Sequence, residues 1–157
     1  TRAPLFTSVR TVNPGTSAQW FSLTPKYGLQ YQWTPDFMTY ATIAGGYKSG
    51  GFDETASTLA TSQVPFSPAK LTAYEVGTKG EWFDHRFRTN FAAYYNSNRN
   101  QQTNITNPLT ALTQRLNVGS SHTEGFELET TLIPFKGFTW NNSATYTYGS
   151  YEDWPNV

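Results

Sequence analysis

A chain of 157 residues with 11 basic and 11 acidic side chains carries no net charge, so it lacks the clustered basic surface of a nucleic-acid-binding domain. Charged residues are 14% of it and hydrophobic ones 37%, while aromatics reach 17%; a soluble domain carries about 25% charge, and one with so sparse a core needs it. The absence of cysteine removes a disulfide scaffold and a thiolate metal site, and no stretch approaches the roughly 18 apolar residues of a membrane helix.

Thr1 is not an initiator methionine and no basic-then-apolar leader follows it. With the abrupt stop at Asp153-Trp154-Pro155-Asn156-Val157, the chain reads as an internal piece, residues 1–157 forming one partial domain. The first clear element is FSLTPKYGLQYQW, 21–33. Phe21, Leu23, Pro25, Tyr27, Leu29, Tyr31 and Trp33 alternate without a break against Ser22, Thr24, Lys26, Gly28, Gln30 and Gln32. Side chains of a strand point alternately to its two faces, so this segment predicts one long strand with an apolar and a polar face. Thr34-Pro35-Asp36 is a turn. FMTYATIAGGYK, 37–48, is a second strand whose blurred alternation leaves its faces unassigned, with Gly45-Gly46 marking a bulge or a close backbone approach.

A long polar loop, Ser49 to Lys70, precedes YEVGTKGEW at 74–82, where Tyr74, Val76, Thr78 and Trp82 oppose Glu75, Lys79 and Glu81. Phe83-Asp84-His85-Arg86 is a tight connection to FRTNFAAYYN at 87–96, with Phe87, Phe91, Ala93 and Tyr95 opposite Arg88, Asn90 and Asn96. After a second long loop, roughly Asn98 to Gln114, GFELETTLI at 125–133 sets Phe126, Leu128, Thr130 and Leu132 against Glu127, Glu129 and Thr131. Pro134-Phe135-Lys136-Gly137 then leads to FTWNNSATYTY at 138–148, alternating in the same way. No helical period appears. The fold class is all-β, an antiparallel meander of about six long strands.

Short connections around Pro35, Asp84 and Phe135 fall at one end of such a meander and the two long loops at the other. Short turns at one end, long loops at the other and strict alternation are the pattern of an outer-membrane barrel. Trp33, Phe37, Trp82, Phe83, Phe87, Phe135, Phe138 and Trp140 all lie near a short turn, as an interfacial girdle requires. Residues 21–33 would extend roughly 43 Å at about 3.3 Å per residue, whereas about 9–11 tilted residues cross the hydrocarbon. Six strands leave two bare edges, so a barrel of this kind needs more wall. The competing soluble architecture is a β-sandwich that binds carbohydrate through exposed tyrosines and tryptophans.

Three phrases in order, LTPKYGLQYQWTPDFMTYATIAGGYKSGGF (23–52), PAKLTAYEVGTKGEWFDHRFRTNFAAYYN (68–96) and NVGSSHTEGFELETTL (117–132), resemble the C-terminal half of the barrel of TonB-dependent outer-membrane receptors, in particular the ferric-siderophore branch. The resemblance covers about residues 20–150 and preserves order and spacing. It implies a 22-stranded transmembrane barrel around a plug, residing in the cell outer membrane and importing a ferric siderophore or similar chelate. The implied partners are outer-membrane lipid, the TonB complex acting through a plug N-terminal to Thr1, and the barrel-assembly machinery reading a terminal aromatic beyond Val157. A passive pore or adhesin on a similar barrel is the alternative, distinguished by the lack of an upstream plug.

Chemistry of other kinds finds little support. GGYKSGG, 45–51, lacks the spacing of a phosphate loop, and no helix follows it. His122 and Glu124 share a strand face but supply two ligands where zinc needs three or four, and His85 belongs to the other end of the sheet. Gly119-Ser120-Ser121 lacks the flanks of a nucleophile elbow. No enzyme and no resident cofactor or metal is expected. Glu75, Lys79, Glu81, Arg88, Glu127 and Glu129 form a lumenal charge ladder whose opposite charges should pair across strands. Polar and aromatic side chains at the loop end make Tyr47, Lys48, Arg99, Gln101 and Gln102 the candidate ligand contacts, Lys48 for an anionic group.

Overall fold

The structure, a computed structural model, describes residues 5–11, 17–54, 56 and 58–152. Leu5–Thr11 (β1) and Ser17–Leu23 (β2) form an antiparallel ribbon of their own. Lys26–Thr34 (β3) and Phe37–Lys48 (β4) follow; then come Gly51–Phe52 (β5), a single helical turn Leu59–Ser62 (α1) and Pro65–Phe66 (β6). Ala69–Trp82 (β7), Phe87–Thr106 (β8), Thr113–Leu132 (β9) and Trp140–Tyr151 (β10) complete the chain. One antiparallel sheet of six strands, in the order β10-β9-β8-β7-β4-β3, dominates. This is the predicted meander: every neighbour in the sheet is the next long strand in the chain.

Several boundaries differ from the sequence reading. The alternation across residues 21–33 hides a break, because Pro25 has no N–H to give a ladder. The chain steps out of β2 at Leu23 and into β3 at Lys26, and the Pro25 carbonyl accepts from Gly45 N at 2.8 Å. The expected loop at 98–114 is mostly strand, β8 and β9 continuing to a connection of only residues 107–112. Hydrophobic alternation marks a strand only where one face is apolar; above that zone both faces are polar and the period vanishes while backbone pairing persists. The other loop begins at Ser49 as expected, but it holds β5, α1 and β6 and ends earlier, at β7. Its helical turn starts at Thr58, whose hydroxyl accepts from Thr61 N at 3.2 Å.

The short connections hold. Phe83, Asp84 and His85 all take left-handed backbone conformations, with φ of 56°, 55° and 64°, and Arg86 N donates to Phe83 O. At Gly45-Gly46 the β4–β7 register runs through without a bulge. The glycines serve close approach instead, since a Cβ on Gly46 would stand 3.0 Å from Leu71 Cβ.

Register settles the faces that sequence left open on β4. Phe37, Thr39, Ala41 and Ile43 join the apolar face, Ala41 and Ile43 opposite Val76 and Tyr74. Rings stack along this face in rows: Phe91 on Phe126 and Phe126 on Tyr146, with centroids 6.3 and 5.6 Å apart. Near the short turns Phe37 lies 5.6 Å from Trp82, and the indoles of Trp33 and Trp82 each donate to a threonine on the next strand, Thr39 and Thr89, at 3.1 Å. Eight residues up the strand from Trp82 a second aromatic tier runs through Tyr74, Tyr95, His122 and Tyr148. That spacing is roughly 26 Å along a strand, or about 20 Å in height at a tilt of about 40°, close to the apolar band of a membrane barrel.

Among the described residues only Phe52 and Val118 are buried apolar side chains. Leu29 at 81% and Trp33 at 61% exposure lie bare. Among the described residues no second layer covers either face of the six-stranded sheet, which is not how a soluble sandwich buries its core. The polar face is shaped by rings lying over glycines: Tyr40 over Gly77 and Tyr94 over Gly125, the Tyr94 and Thr147 hydroxyls sharing a 2.7 Å hydrogen bond. No helix among the described residues is long and apolar enough to cross a membrane.

Candidate ligand-binding site

The six charges of the expected ladder all fall in register rows of the polar face. Pairing is narrower than predicted. Glu81 and Arg88 are directly opposed and bonded, Nη2 to Oε1 at 2.8 Å and Nε to Oε1 at 2.9 Å, and His85 closes on the other Glu81 oxygen. Lys79 instead lies 6.0 Å from the Tyr40 ring centroid, Glu129 accepts from Asn90 at 3.4 Å, and Glu75 stands beside the Tyr40 hydroxyl. Geometry explains this: the rows hold Lys79–Asn90–Glu129 and Glu75–Tyr94, so a basic residue seldom meets an acidic one directly.

At the loop end the strands frame a depression of about 440 Å³, bordered by β4, the start of β7, β8 from Asn98 to Thr103, Val118 and Tyr151. Tyr47, Lys48, Arg99, Gln101 and Gln102 all line it, with Lys70 as a third cation and no carboxylate. The pleat divides them. Lys48, Leu71, Asn98 and Tyr151 belong to the rows of the polar face, whereas Tyr47, Lys70 and Arg99 belong to the row two residues beyond Gly45, Thr72 and Ser97 on the aromatic face. The sequence reading of 37–48, with its faces unassigned, grouped Tyr47 and Lys48 together; neighbours on a strand point opposite ways.

Above the depression the long hairpin bends. Asn100 and Gly119, facing each other across β8 and β9, both take positive φ, 53° and 39°, while the register on either side is unchanged. Loop 49–68 is clasped to this bend. Asn117 Oδ1 accepts from Ser67 N at 2.6 Å, and Asn117 Nδ2 donates to the Ser67 and Asn100 carbonyls at 2.8 and 2.9 Å. Gln102 Nε2 donates to the carbonyls of Ser49 and Ser67, and buried Asp53 accepts from Arg115 N at 2.7 Å. Gln102, taken from sequence as a ligand contact, thus holds the loop. Asp53 and Asn117 went unseen because their partners lie 62 and 50 residues away.

Asn117→Leu removes three bonds at one point. With about 0.5–1.5 kcal/mol net at stake in each bond, the amides of Gly51, Phe52 and Phe66 should exchange at least about tenfold faster in native-state hydrogen exchange, while those of β7 keep their protection. Equal protection of the loop in variant and wild type contradicts the clasp.

The family model described as TonB dependent receptor-like, beta-barrel, matches residues 5–156. The chain belongs to the TonB-dependent receptors. A probable TonB-dependent siderophore receptor, PiuA of Acinetobacter baumannii, is 32% identical over 114 residues, 71% of this chain and 14% of that protein. The TonB-dependent receptor wall described here therefore spans about a seventh of that relative's length. Among solved structures it resembles the ferric yersiniabactin uptake receptor FyuA from Yersinia pestis, with a TM-score of 0.72, 21% identity, and coverage of 87% of this chain and 20% of the other. The FrpB iron transporter from Neisseria meningitidis follows, with a TM-score of 0.69, 16% identity, and coverage of 90% and 22%. The shared fold is the antiparallel wall of a TonB-dependent receptor barrel.

Proposed function

We propose that the chain is part of the barrel of an outer-membrane receptor that imports a ferric siderophore or similar chelate, a transport role and not a catalytic one. The observation that carries this reading is the depression at the loop end of a TonB-dependent receptor wall, with amide and cationic donors and no carboxylate in its lining. Such a lining suits a ligand rich in oxygen acceptors and negative charge. Lys48, on the lumenal rows, and Gln101 are the contacts we favour, with Gln102 setting the loop beside them. Tyr47 and Arg99 border the depression from the outer rows. In the full receptor we propose a plug facing Glu75, Lys79, Glu127 and Glu129 and engaging TonB, the barrel-assembly machinery inserting the wall into outer-membrane lipid.

In iron-limited cells with the full-length receptor as their sole high-affinity iron route, uptake from a panel of ferric siderophores is compared with that of a variant in which residues 49–68 and 107–112 are replaced by short turns. The variant, inserted in equal amount, should lose affinity at least about tenfold for the siderophore the wild type takes up, equivalent to about 1.4 kcal/mol. Undiminished binding removes the loop end as the ligand site. Uptake of none of the panel by the wild type removes the siderophore assignment.

A further inference from the structure

We propose that the imported chelate is amphiphilic, its polar head at the depression and an alkyl tail in an apolar notch beside it. The inference rests on reading the chain as part of a ferric-chelate receptor, and it names the class of chelate. The notch, about 470 Å³, is lined by Phe21, Leu23, Pro25, Tyr27, Ile43 and Leu71. That volume lies within the range of about 300–1,000 Å³ typical of small-ligand sites.

The sequence parts the wall at this point. Pro25 has no N–H to give, and beyond the bond from Gly45 N to its carbonyl the chain leaves β4. Among the described strands, β2 pairs with β1 alone. Gly45 and Gly46 border the opening on the β4 side, and neither puts a side chain across it. A Cβ on Gly45 would stand 3.4 Å from both Pro25 Cδ and Thr24 Cα, so a longer side chain there would fill the gap.

Level decides what occupies the notch. Tyr27 and Ile43 share the row of Tyr74 in the upper aromatic tier, and Pro25 stands level with Gly45, two residues above. Leu23 and Phe21 lie beyond it, 56% and 66% exposed, past the hydrocarbon and among headgroups and water. Lipid tails do not cover apolar side chains in that layer, and an apolar group brought to them is stabilised by leaving water. The depression supplies the means of bringing one. Gly46, Lys70 and Leu71 line both cavities, so the two adjoin. Leu71 is an apolar side chain among the lumenal rows, opposite Gly46 and Asn98. A ligand whose head is held by Lys48 and Gln101 therefore has its flank at the notch. Each methylene that passes from water into such a site tightens binding about fourfold.

The full-length receptor in lipid nanodiscs is titrated with ferric complexes of a linear trihydroxamate and of a tripodal tricatecholate. Each carries either an octanoyl or an acetyl group on its one free amine, and octanoyl glycinamide serves as a tail without a head. For at least one head, the wild type should bind the octanoyl form at least about tenfold tighter than the acetyl form. The headless tail should compete at least about tenfold less well than the octanoyl chelate. Gly45→Leu, which fills the notch, and F21N/L23N, which makes it polar, should each bring the octanoyl-to-acetyl ratio to about one. Leu29→Ala, on the outer face away from the notch, should leave the ratio unchanged. A ratio near one in the wild type, or one that survives in either notch variant, overturns the proposal. A headless tail that competes as well as the octanoyl chelate marks a groove for lipid chains and also overturns it. Binding of none of the chelates fails the ferric-chelate reading and this proposal with it, whereas acetyl forms bound as tightly as octanoyl ones fail this proposal alone.

Discussion

Gly125→Val in the full-length receptor should prevent the wall from closing up. A Cβ at Gly125 would stand 2.1 Å from the Tyr146 carbonyl oxygen on β10 and 2.7 Å from the Tyr94 hydroxyl on β8. The oxygen is backbone and cannot swing away, and the tyrosine ring is fixed over the glycine by its bond to Thr147. One added branch therefore presses on both neighbours of β9 at once. Overpacking of this kind costs about 3 kcal/mol or more, enough to abolish the heat-modifiable band of the folded barrel on an unboiled gel and to lower its midpoint in urea. Gly28→Val is the matched control, because its Cβ meets Thr42 Cγ2 and the Ala41 carbonyl oxygen at ordinary contact distances of 3.6 and 3.9 Å. A folded Gly125→Val receptor with an unchanged midpoint shows that the close approach at β9 does not limit packing.

Leu128→Arg should be the most damaging change on the outer face. Leu128 lies four residues above Leu132, the register partner of Trp140, and four below Glu124 in the tyrosine tier, hence midway across the apolar band. An arginine at the midplane of a barrel costs about 2–4 kcal/mol. Ser143→Arg places the same charge on the next strand but on the lumenal face, directly opposite Glu129, where water and a carboxylate receive it. Urea unfolding of the two variants in lipid vesicles should separate them by at least about 2 kcal/mol. Equal stability reverses the assignment of faces.

The two faces were legible in the sequence wherever lipid and water lie on opposite sides of a strand. The bounds of β4, 37–48, emerge from the sequence unchanged, and Phe126, Leu128 and Tyr146 are assigned to the right face from alternation alone. Legibility ends where that asymmetry ends. The upper ten or so residues of β8 and β9 carry polar side chains on both sides, with only Ile105, Leu116 and Val118 among them apolar, and backbone pairing, which leaves no mark on composition, shows them to be strand. The break at Pro25 was concealed for the converse reason, since alternation continues through a residue that has no N–H to donate. The depression was half visible: polar residues near Gly45-Gly46 and after Tyr95 pointed to its borders. Their division between two faces, and the grip of Asn117 on Ser67 across 50 residues of chain, depend on register and on a long closure that no local pattern encodes.

Because sheet order repeats chain order from β3 to β10, the wall can be laid down vectorially, each strand zipping onto the free edge of the one before it. The sequence distance that must be closed at each step is one connection, the longest of them residues 49–68 between β4 and β7, which keeps loop-closure entropy small. Only the final seam between first and last strands of a complete barrel escapes this economy. A lesion such as Gly125→Val should then act as a stop signal in assembly, leaving β3 to β8 paired and everything C-terminal to β9 unzipped. Truncation products trapped at that point should protect Tyr74 and Tyr95 from labelling while exposing Tyr146 and Tyr148.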